Sequence, residues 1–167
     1  LCLASGEAGP IEPEDLDAFV SLLEQVAGEL ARAIVRDAEG GTKLVAVTVS
    51  GAPSFEAAQT VANAIALSPL VKTAIHGEDP NWGRIIAAAG RSGVDFLPED
   101  LRLWVDDTLL YAKGRWQGAE AEAVVRETMQ TAEYGMRLDL GVGPERHTVF
   151  TCDFSADYVR INADYRS

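Results

Sequence analysis

Cysteine and basic residues are both scarce in this sequence. Its 167 residues include only Cys2 and Cys152, which lie at opposite ends of the chain without a CxxC motif. This usage argues against a secreted disulfide scaffold and predicts a reduced, cytoplasmic protein. The 14 Lys and Arg residues are outnumbered by 26 Asp and Glu residues, which gives a net charge of −12. Because such a chain repels polyanions at long range, we expect no nucleic acid and no membrane surface as partner.

Long apolar runs are also missing. No stretch approaches the roughly 20 apolar residues that span a bilayer, so no membrane segment is predicted. The chain lacks an initiating Met, and we expect it to begin in the middle of a longer protein. Its 47% hydrophobic and 24% charged residues are typical of a globular domain with a core. Since no repeat, low-complexity tract or linker divides it, residues 1–167 are predicted to form a single compact unit.

Motifs of a self-contained catalytic or metal site are absent as well. The chain has no Gly-x-Ser-x-Gly elbow and no obvious His partner for a serine or threonine nucleophile. His76, Glu78 and Asp79 are too close in sequence to point at a single ion, so no metal site is predicted. The glycines at 40–41 and 141–143 lack the strand-to-helix context of a phosphate-binding loop. On its own, the chain shows no nucleophile.

Hydrophobic periodicity alternates between helix and strand along the chain. Apolar residues with helical spacing predict helices at 13–36, 54–67 and 119–133. Strands are predicted at 1–4, 43–49, 70–75, 101–105, 108–112, 136–140 and 148–154. Asp79 and Pro80 are predicted to cap and begin a short element that ends at Gly90. The alternation indicates an α/β fold with mixed sheets and flanking helices.

The loop at 76–84 is unusually rich in special residue types. It has the sequence His-Gly-Glu-Asp-Pro-Asn-Trp-Gly-Arg, and such density in a loop favours a functional role. A purely structural role is the alternative. In that case Asp79 caps a helix, Trp82 fills an edge of the core, and Arg84 pairs with Glu78 or Asp79.

Several of these segments resemble the ornithine acetyltransferase family in matching order. They are 68–74 (Ser-Pro-Leu-Val-Lys-Thr-Ala), 77–84 (Gly-Glu-Asp-Pro-Asn-Trp-Gly-Arg), Cys152-Asp153 and 158–165 (Tyr-Val-Arg-Ile-Asn-Ala-Asp-Tyr). Residues 1–9 and the turn at 37–43 are also similar to family segments, so the resemblance covers the chain and is weakest at 96–136. It implies the C-terminal part of the β-chain of a two-chain α/β fold.

The resemblance implies an enzyme, a glutamate N-acetyltransferase of arginine biosynthesis. The family moves the acetyl group of N-acetyl-L-ornithine to L-glutamate through an acetyl-threonine intermediate, and some members also use acetyl-CoA to make N-acetylglutamate. The threonine becomes N-terminal by self-cleavage and is expected upstream of Leu1, so no catalytic residue is expected in this chain. No cofactor is implied. The implied partner is the α-chain of the same precursor, in a heterotetramer of two α-chains and two β-chains.

The family's substrate contacts map onto Glu39, Asn162 and Ser167. A carboxylate such as Glu39 can pair with the ammonium of an amino acid, while Asn162 and Ser167 can donate to its carboxylate. Their implied role is positioning. Glu39 could instead be a helix-end residue without a ligand. Two other functions stay open: a related N-terminal-nucleophile amidase or aminopeptidase, and a non-catalytic amino-acid-binding module.

Overall fold

The computed structural model describes residues 2–7 and 9–164, which form six α-helices and six strands. After a short 3-10 turn at Pro13–Asp15, the helices are α1 (Leu16–Arg36), α2 (Phe55–Ala66), α3 (Pro69–His76), α4 (Trp82–Gly90), α5 (Ala119–Met129) and α6 (Ala156–Asp164). The strands are β1 (Leu44–Ala52), β2 (Arg102–Val105), β3 (Thr108–Ala112), β4 (Arg115–Trp116), β5 (Glu133–Asp139) and β6 (Glu145–Cys152).

The strands form one mixed sheet in the order β4-β3-β2-β5-β1-β6. β1 runs parallel to β5, and the other neighbouring pairs are antiparallel. Along β1, Val45, Val47 and Val49 are buried, whereas Ala46 and Thr48 between them are partly exposed. This period of two places the β-branched residues on the core face. The predicted α/β fold with flanking helices is confirmed, and the strands predicted at 101–105 and 108–112 form β2 and β3, which pair antiparallel across Asp106-Asp107.

The core lies between the sheet and α2, α4 and α5. α2 crosses β1 and β6 and packs against α4, while α5 packs on β3 and β5. The side-chain oxygen of Ser54 accepts the N–H of Ala57 at 3.1 Å, so Ser54 is the N-cap of α2. The buried residues of α2 are Ala58, Val61, Ala62, Ile65 and Ala66.

α1 confirms the predicted first helix but buries none of its residues. Leu30 is 60% exposed and Ile34 is 74% exposed. Only the C-terminal half is tied to the sheet: Arg32 and Arg36 both pair with Glu133 at the start of β5. The guanidinium of Arg32 also lies 5.5 Å from the ring centre of Phe150 on β6.

Three predicted segments were wrong or misplaced. Residues 70–75 form most of helix α3 instead of a strand, because Ser68 accepts the N–H of Val71 and Pro69 occupies the first helical position. Residues 2–4 are exposed and form no strand, and Leu1 lies outside the described residues. The helix predicted at 119–133 ends at Met129, since Glu133 already belongs to β5. Residues 156–164 form the helix α6.

Candidate functional site

The buried carboxylate of Asp153 accepts several hydrogen bonds at the end of the sheet where β6 stops. It follows β6, is 0% exposed, and accepts hydrogen bonds from three residues. The N–H and Oγ1 of Thr42 donate to it at 2.6 and 2.9 Å, and the N–H of Lys43 donates at 2.9 Å. His76 at the end of α3 places Nδ1 2.7 Å from Oδ2. Asp153 therefore joins the turn before β1 to the ends of α3 and β6.

These hydrogen bonds determine the charge of Asp153. Burial would raise the pKa of its carboxyl group, but the hydrogen bonds from the Thr42 backbone, His76, the Lys43 backbone and the Thr42 side chain outweigh it and leave the pKa below its ordinary value. An ionised carboxylate only accepts hydrogen bonds, so the proton between the two residues belongs to Nδ1 of His76. Nδ1 of His76 is thus the donor in this hydrogen bond.

A partly buried ion pair lies beside this carboxylate. Nζ of Lys43 donates to Oε1 of Glu78 at 2.9 Å and to the carbonyl oxygen of Met129 at 2.8 Å. Glu78 has a φ of +51°, an uncommon conformation for a residue other than glycine. The hydroxyl of Tyr134 is buried without a hydrogen-bond partner among the described residues. Burial first, and then the charges of Asp153 and Glu78, raise its pKa, so Tyr134 stays a neutral phenol.

Lys72 fastens α3 to the end of β6. Its side chain is buried, and Nζ donates to Oγ1 of Thr151 at 3.1 Å and to Sγ of Cys152 at 3.4 Å. The same ammonium lies 4.8 Å from the ring centre of Phe154. In addition, the N–H of Phe154 donates to the Lys72 carbonyl at 3.1 Å. Residues 151–154 are therefore held in place on the α3 side as well as on the β1 side.

The loop at 76–84 has mainly structural contacts, which differ from the predicted ones. Asn81, not Asp79, caps α4: its Oδ1 accepts the N–H of Arg84 at 3.1 Å, while Asp79 accepts from the Asn81 amide at 2.9 Å. Trp82 stacks on Tyr111 with ring centres 5.0 Å apart, and it packs at the edge of the core as expected. Arg84 donates to the Leu70 carbonyl at 3.1 Å instead of pairing with either carboxylate.

The structure brings the elements that carry Glu39 and Asn162 into contact. Glu39 is exposed in the turn between α1 and β1, and the next residue, Gly40, lies against the first turn of α6. Asn162 is exposed on α6, where its Nδ2 donates to the Tyr158 carbonyl at 2.9 Å. Ser167 lies outside the described residues. The arrangement can present a carboxylate and an amide from adjoining elements to one small ligand.

Sequence reasoning missed the residues that hold these two elements. Asp153 was placed inside a predicted strand, although the strand ends at Cys152 and the carboxylate turns inward. Ser155 received no role, yet it is the N-cap of α6 and its Oγ accepts the N–H of Tyr158 at 3.0 Å. A serine followed by Asp157 in the first helical turn is a helix-start pattern that could have identified it.

Within residues 2–7 and 9–164, no group of three His, Cys, Asp or Glu side chains is arranged to hold a metal ion. Nor is any helix of that part of the chain both long and apolar enough to cross a membrane.

Comparison with known proteins gives consistent matches. The model of the ArgJ family matches residues 1–167. The arginine biosynthesis bifunctional protein ArgJ of Geobacter sulfurreducens is 46% identical over 100% of this chain and 44% of its own length. The protein of the same name from Chlorobaculum tepidum is 48% identical over 89% of this chain and 37% of its own length. The chain thus spans less than half the length of these relatives.

A solved structure agrees with the fold. The crystal structure of arginine biosynthesis bifunctional protein ArgJ from Bacillus halodurans superimposes with a TM-score of 0.91 at 36% identity. The match covers 99% of this chain and 79% of that one.

Proposed function

This chain belongs to the ArgJ family, and on that premise we propose that it forms the C-terminal part of the β-chain of a glutamate N-acetyltransferase. The complete protein transfers the acetyl group of N-acetyl-L-ornithine to L-glutamate in arginine biosynthesis. We propose that residues 1–167 are one compact unit of that cytoplasmic enzyme. The relatives' printed name, arginine biosynthesis bifunctional protein, supports this assignment.

The observation that carries the proposal is the contact between the Glu39 turn and α6. Gly40 abuts the backbone of Asp157 and Tyr158, so Glu39 and Asn162 project from adjoining elements. Glu39 pairs with the ammonium of the amino acid substrate, and the Asn162 amide donates to its carboxylate. Ser167 adds a hydroxyl donor to the same carboxylate. Together they orient the substrate amine and leave the chemistry to another group.

The nucleophile in this proposal is a threonine outside this chain. Its hydroxyl oxygen attacks the acetyl carbon of N-acetylornithine, the C–N bond breaks, and the hydroxyl proton passes to the departing ornithine amine. The glutamate amine then attacks the acetyl ester, which releases N-acetylglutamate and restores the hydroxyl. Thr42 is close to the site, but its N–H and its hydroxyl both donate to Asp153, which gives it a structural role.

The proposal includes a partner chain. We infer that an α-chain from the same precursor associates with this chain, in a heterotetramer of two α-chains and two β-chains. Support comes from α1, whose apolar residues remain exposed along its whole length. Large exposed apolar surfaces are typical of interaction sites.

Steady-state kinetics of the complete protein test the proposal. Wild-type protein should release ornithine from N-acetylornithine and form N-acetylglutamate in equal amounts. Glu39→Gln should raise the KM for N-acetylornithine about 10- to 100-fold, since a hydrogen bond to a charged group contributes roughly 1.5–3 kcal/mol. Glu99→Gln, a matched change at an exposed carboxylate far along the chain, should leave KM unchanged.

Other results would favour the other functions. Release of acetate without glutamate would indicate an amidase, because water then accepts the acetyl group. Saturable binding of N-acetylornithine without any turnover would indicate a binding module. A Glu39→Gln variant with wild-type kinetics would remove Glu39 from the site.

A further inference from the structure

We propose that Ser155 is a positioning residue that sets the spacing between Glu39 and Asn162, and thereby governs binding of the amino acid substrate without touching it. This inference rests on the proposed role of Glu39 and Asn162. It assigns to Ser155 a function beyond that of an ordinary helix cap.

One hydroxyl group joins the two substrate-binding elements. Ser155 is buried, and its Oγ donates to the carbonyl oxygen of Gly40 while it accepts the N–H of Tyr158 at 3.0 Å. A serine hydroxyl has one proton to donate and lone pairs to accept, so both bonds can exist at once. The oxygen therefore links the Glu39 turn directly to the first turn of α6.

The backbones of the two elements are in direct contact at this point. Gly40 has a φ of +74°, and a Cβ added there would come within 2.8 Å of the Tyr158 Cα and 2.9 Å of the Asp157 carbonyl carbon. A side chain cannot be accommodated at that separation. A small displacement of α6 is consequently transmitted to Gly40 and to Glu39 beside it.

On each side, a single further connection joins the hydrogen-bonding partner of Ser155 to a proposed substrate-binding residue. Glu39 precedes Gly40 in the chain, and Asn162 is held to Tyr158 by its hydrogen bond to the Tyr158 carbonyl at 2.9 Å. Asp153 anchors the far side of the turn through the N–H groups of Thr42 and Lys43. Without the Ser155 hydroxyl the turn keeps this anchor, but it loses its hydrogen-bonded link to α6, and only the backbone packing at Gly40 remains.

The structure predicts which kinetic constant changes. In N-acetylornithine, Glu39 and Asn162 hold the side-chain ammonium and the carboxylate, not the acetyl carbonyl that reacts. An interaction made equally in the ground state and the transition state lowers KM and leaves kcat unchanged. Ser155→Ala should therefore raise KM and have little effect on kcat.

The kinetic experiment uses the complete protein with N-acetylornithine and glutamate. Ser155→Ala should raise the KM for N-acetylornithine about 10-fold and change kcat by less than about 3-fold. Ser155→Thr keeps the hydroxyl and should bring KM back to within about 3-fold of wild type. The matched control is Ser54→Ala, which removes the same kind of cap from α2 and should leave KM unchanged. A wild-type KM for Ser155→Ala, or an equal change in Ser54→Ala, would overturn the inference.

Hydrogen exchange supplies a readout that does not depend on activity. Ser155→Ala should accelerate amide exchange both at 39–42 and at 158–162, and Gly40→Ala should do the same by forcing the backbones apart. Faster exchange at 158–162 alone would mean that Ser155 is only a helix cap, and the inference would be wrong. If the wild-type protein transfers no acetyl group, the proposed function fails, and the exchange data still decide whether the two elements are coupled.

Discussion

α1 and α2 are both amphipathic by sequence, but they differ in what packs against them. Both have an apolar face with helical spacing, yet α2 buries five residues against β1 and β6, whereas α1 buries none. α1 is held instead by the pairing of Arg32 and Arg36 with Glu133. Helical periodicity thus predicts which residues form an apolar face, but not what covers that face. The difference supports the proposal that α1 contacts a partner chain.

The largest expected difference between α1 and α2 is in how far truncation of an apolar side chain lowers the free energy of unfolding. Ile65→Ala in α2 removes a fully buried side chain and should lower that free energy by about 2–5 kcal/mol. Leu30→Ala is the matched change in α1 and should lower it by less than about 0.5 kcal/mol in this chain alone, because Leu30 is exposed. Urea denaturation measures both values. Equal losses would mean that α1 packs as tightly as α2, against the comparison drawn here.

Charge gives the next contrast, between the buried Asp153 and the exposed charges on α1. Because the pKa of Asp153 is lowered in the folded protein, its stabilising effect is complete above its ordinary value of 3.8 and is lost as the pH falls through the lower folded value. Asp153→Asn should cost about 1.5–3 kcal/mol at neutral pH. It should also reduce the acid dependence of stability below about pH 4. An unchanged acid profile in the variant would show that Asp153 does not cause that dependence.

The smallest expected effect concerns the attachment of α1. Glu133→Gln weakens the pairing with Arg32 and Arg36, and should lower the free energy of unfolding by at most about 1 kcal/mol because all three side chains are partly exposed. Amide exchange in α1 should nevertheless become faster, while exchange in α2 stays the same. Unchanged exchange in α1 would show that contacts other than this ion pair hold the helix.

Local patterns predicted much of the fold. α1, β1, α2, β2 and β3 follow from the period of their apolar residues. α3 was mistaken for a strand, since the short apolar run from Leu70 to Ile75 fits either structure. α6 was missed because the tail alternates apolar and polar residues up to Asn162, which is not the spacing of an amphipathic helix. In addition, the first turn of α6 is held by contact with Gly40, a residue distant in sequence.

Only part of the candidate site could be predicted from the sequence. Resemblance to the ornithine acetyltransferase family predicts Glu39 and Asn162 as substrate contacts, but gives no sign of the residues that hold their two elements together. Ser155 and Gly40 are 115 positions apart, and Asp153 and Thr42 are 111 apart. Both contacts depend on the antiparallel pairing of β1 with β6, which brings the start of one strand beside the end of the other. A single sequence carries no local signal for such a pairing.

Intact mass spectrometry of the complete protein with N-acetylornithine tests the central claim most directly. We predict an acetyl adduct on a polypeptide that begins with threonine and contains this sequence, and we predict that added glutamate removes the adduct as N-acetylglutamate. A folded protein that releases ornithine without acquiring the adduct, or that acquires no adduct and releases nothing, would contradict acetyl transfer through a threonine ester.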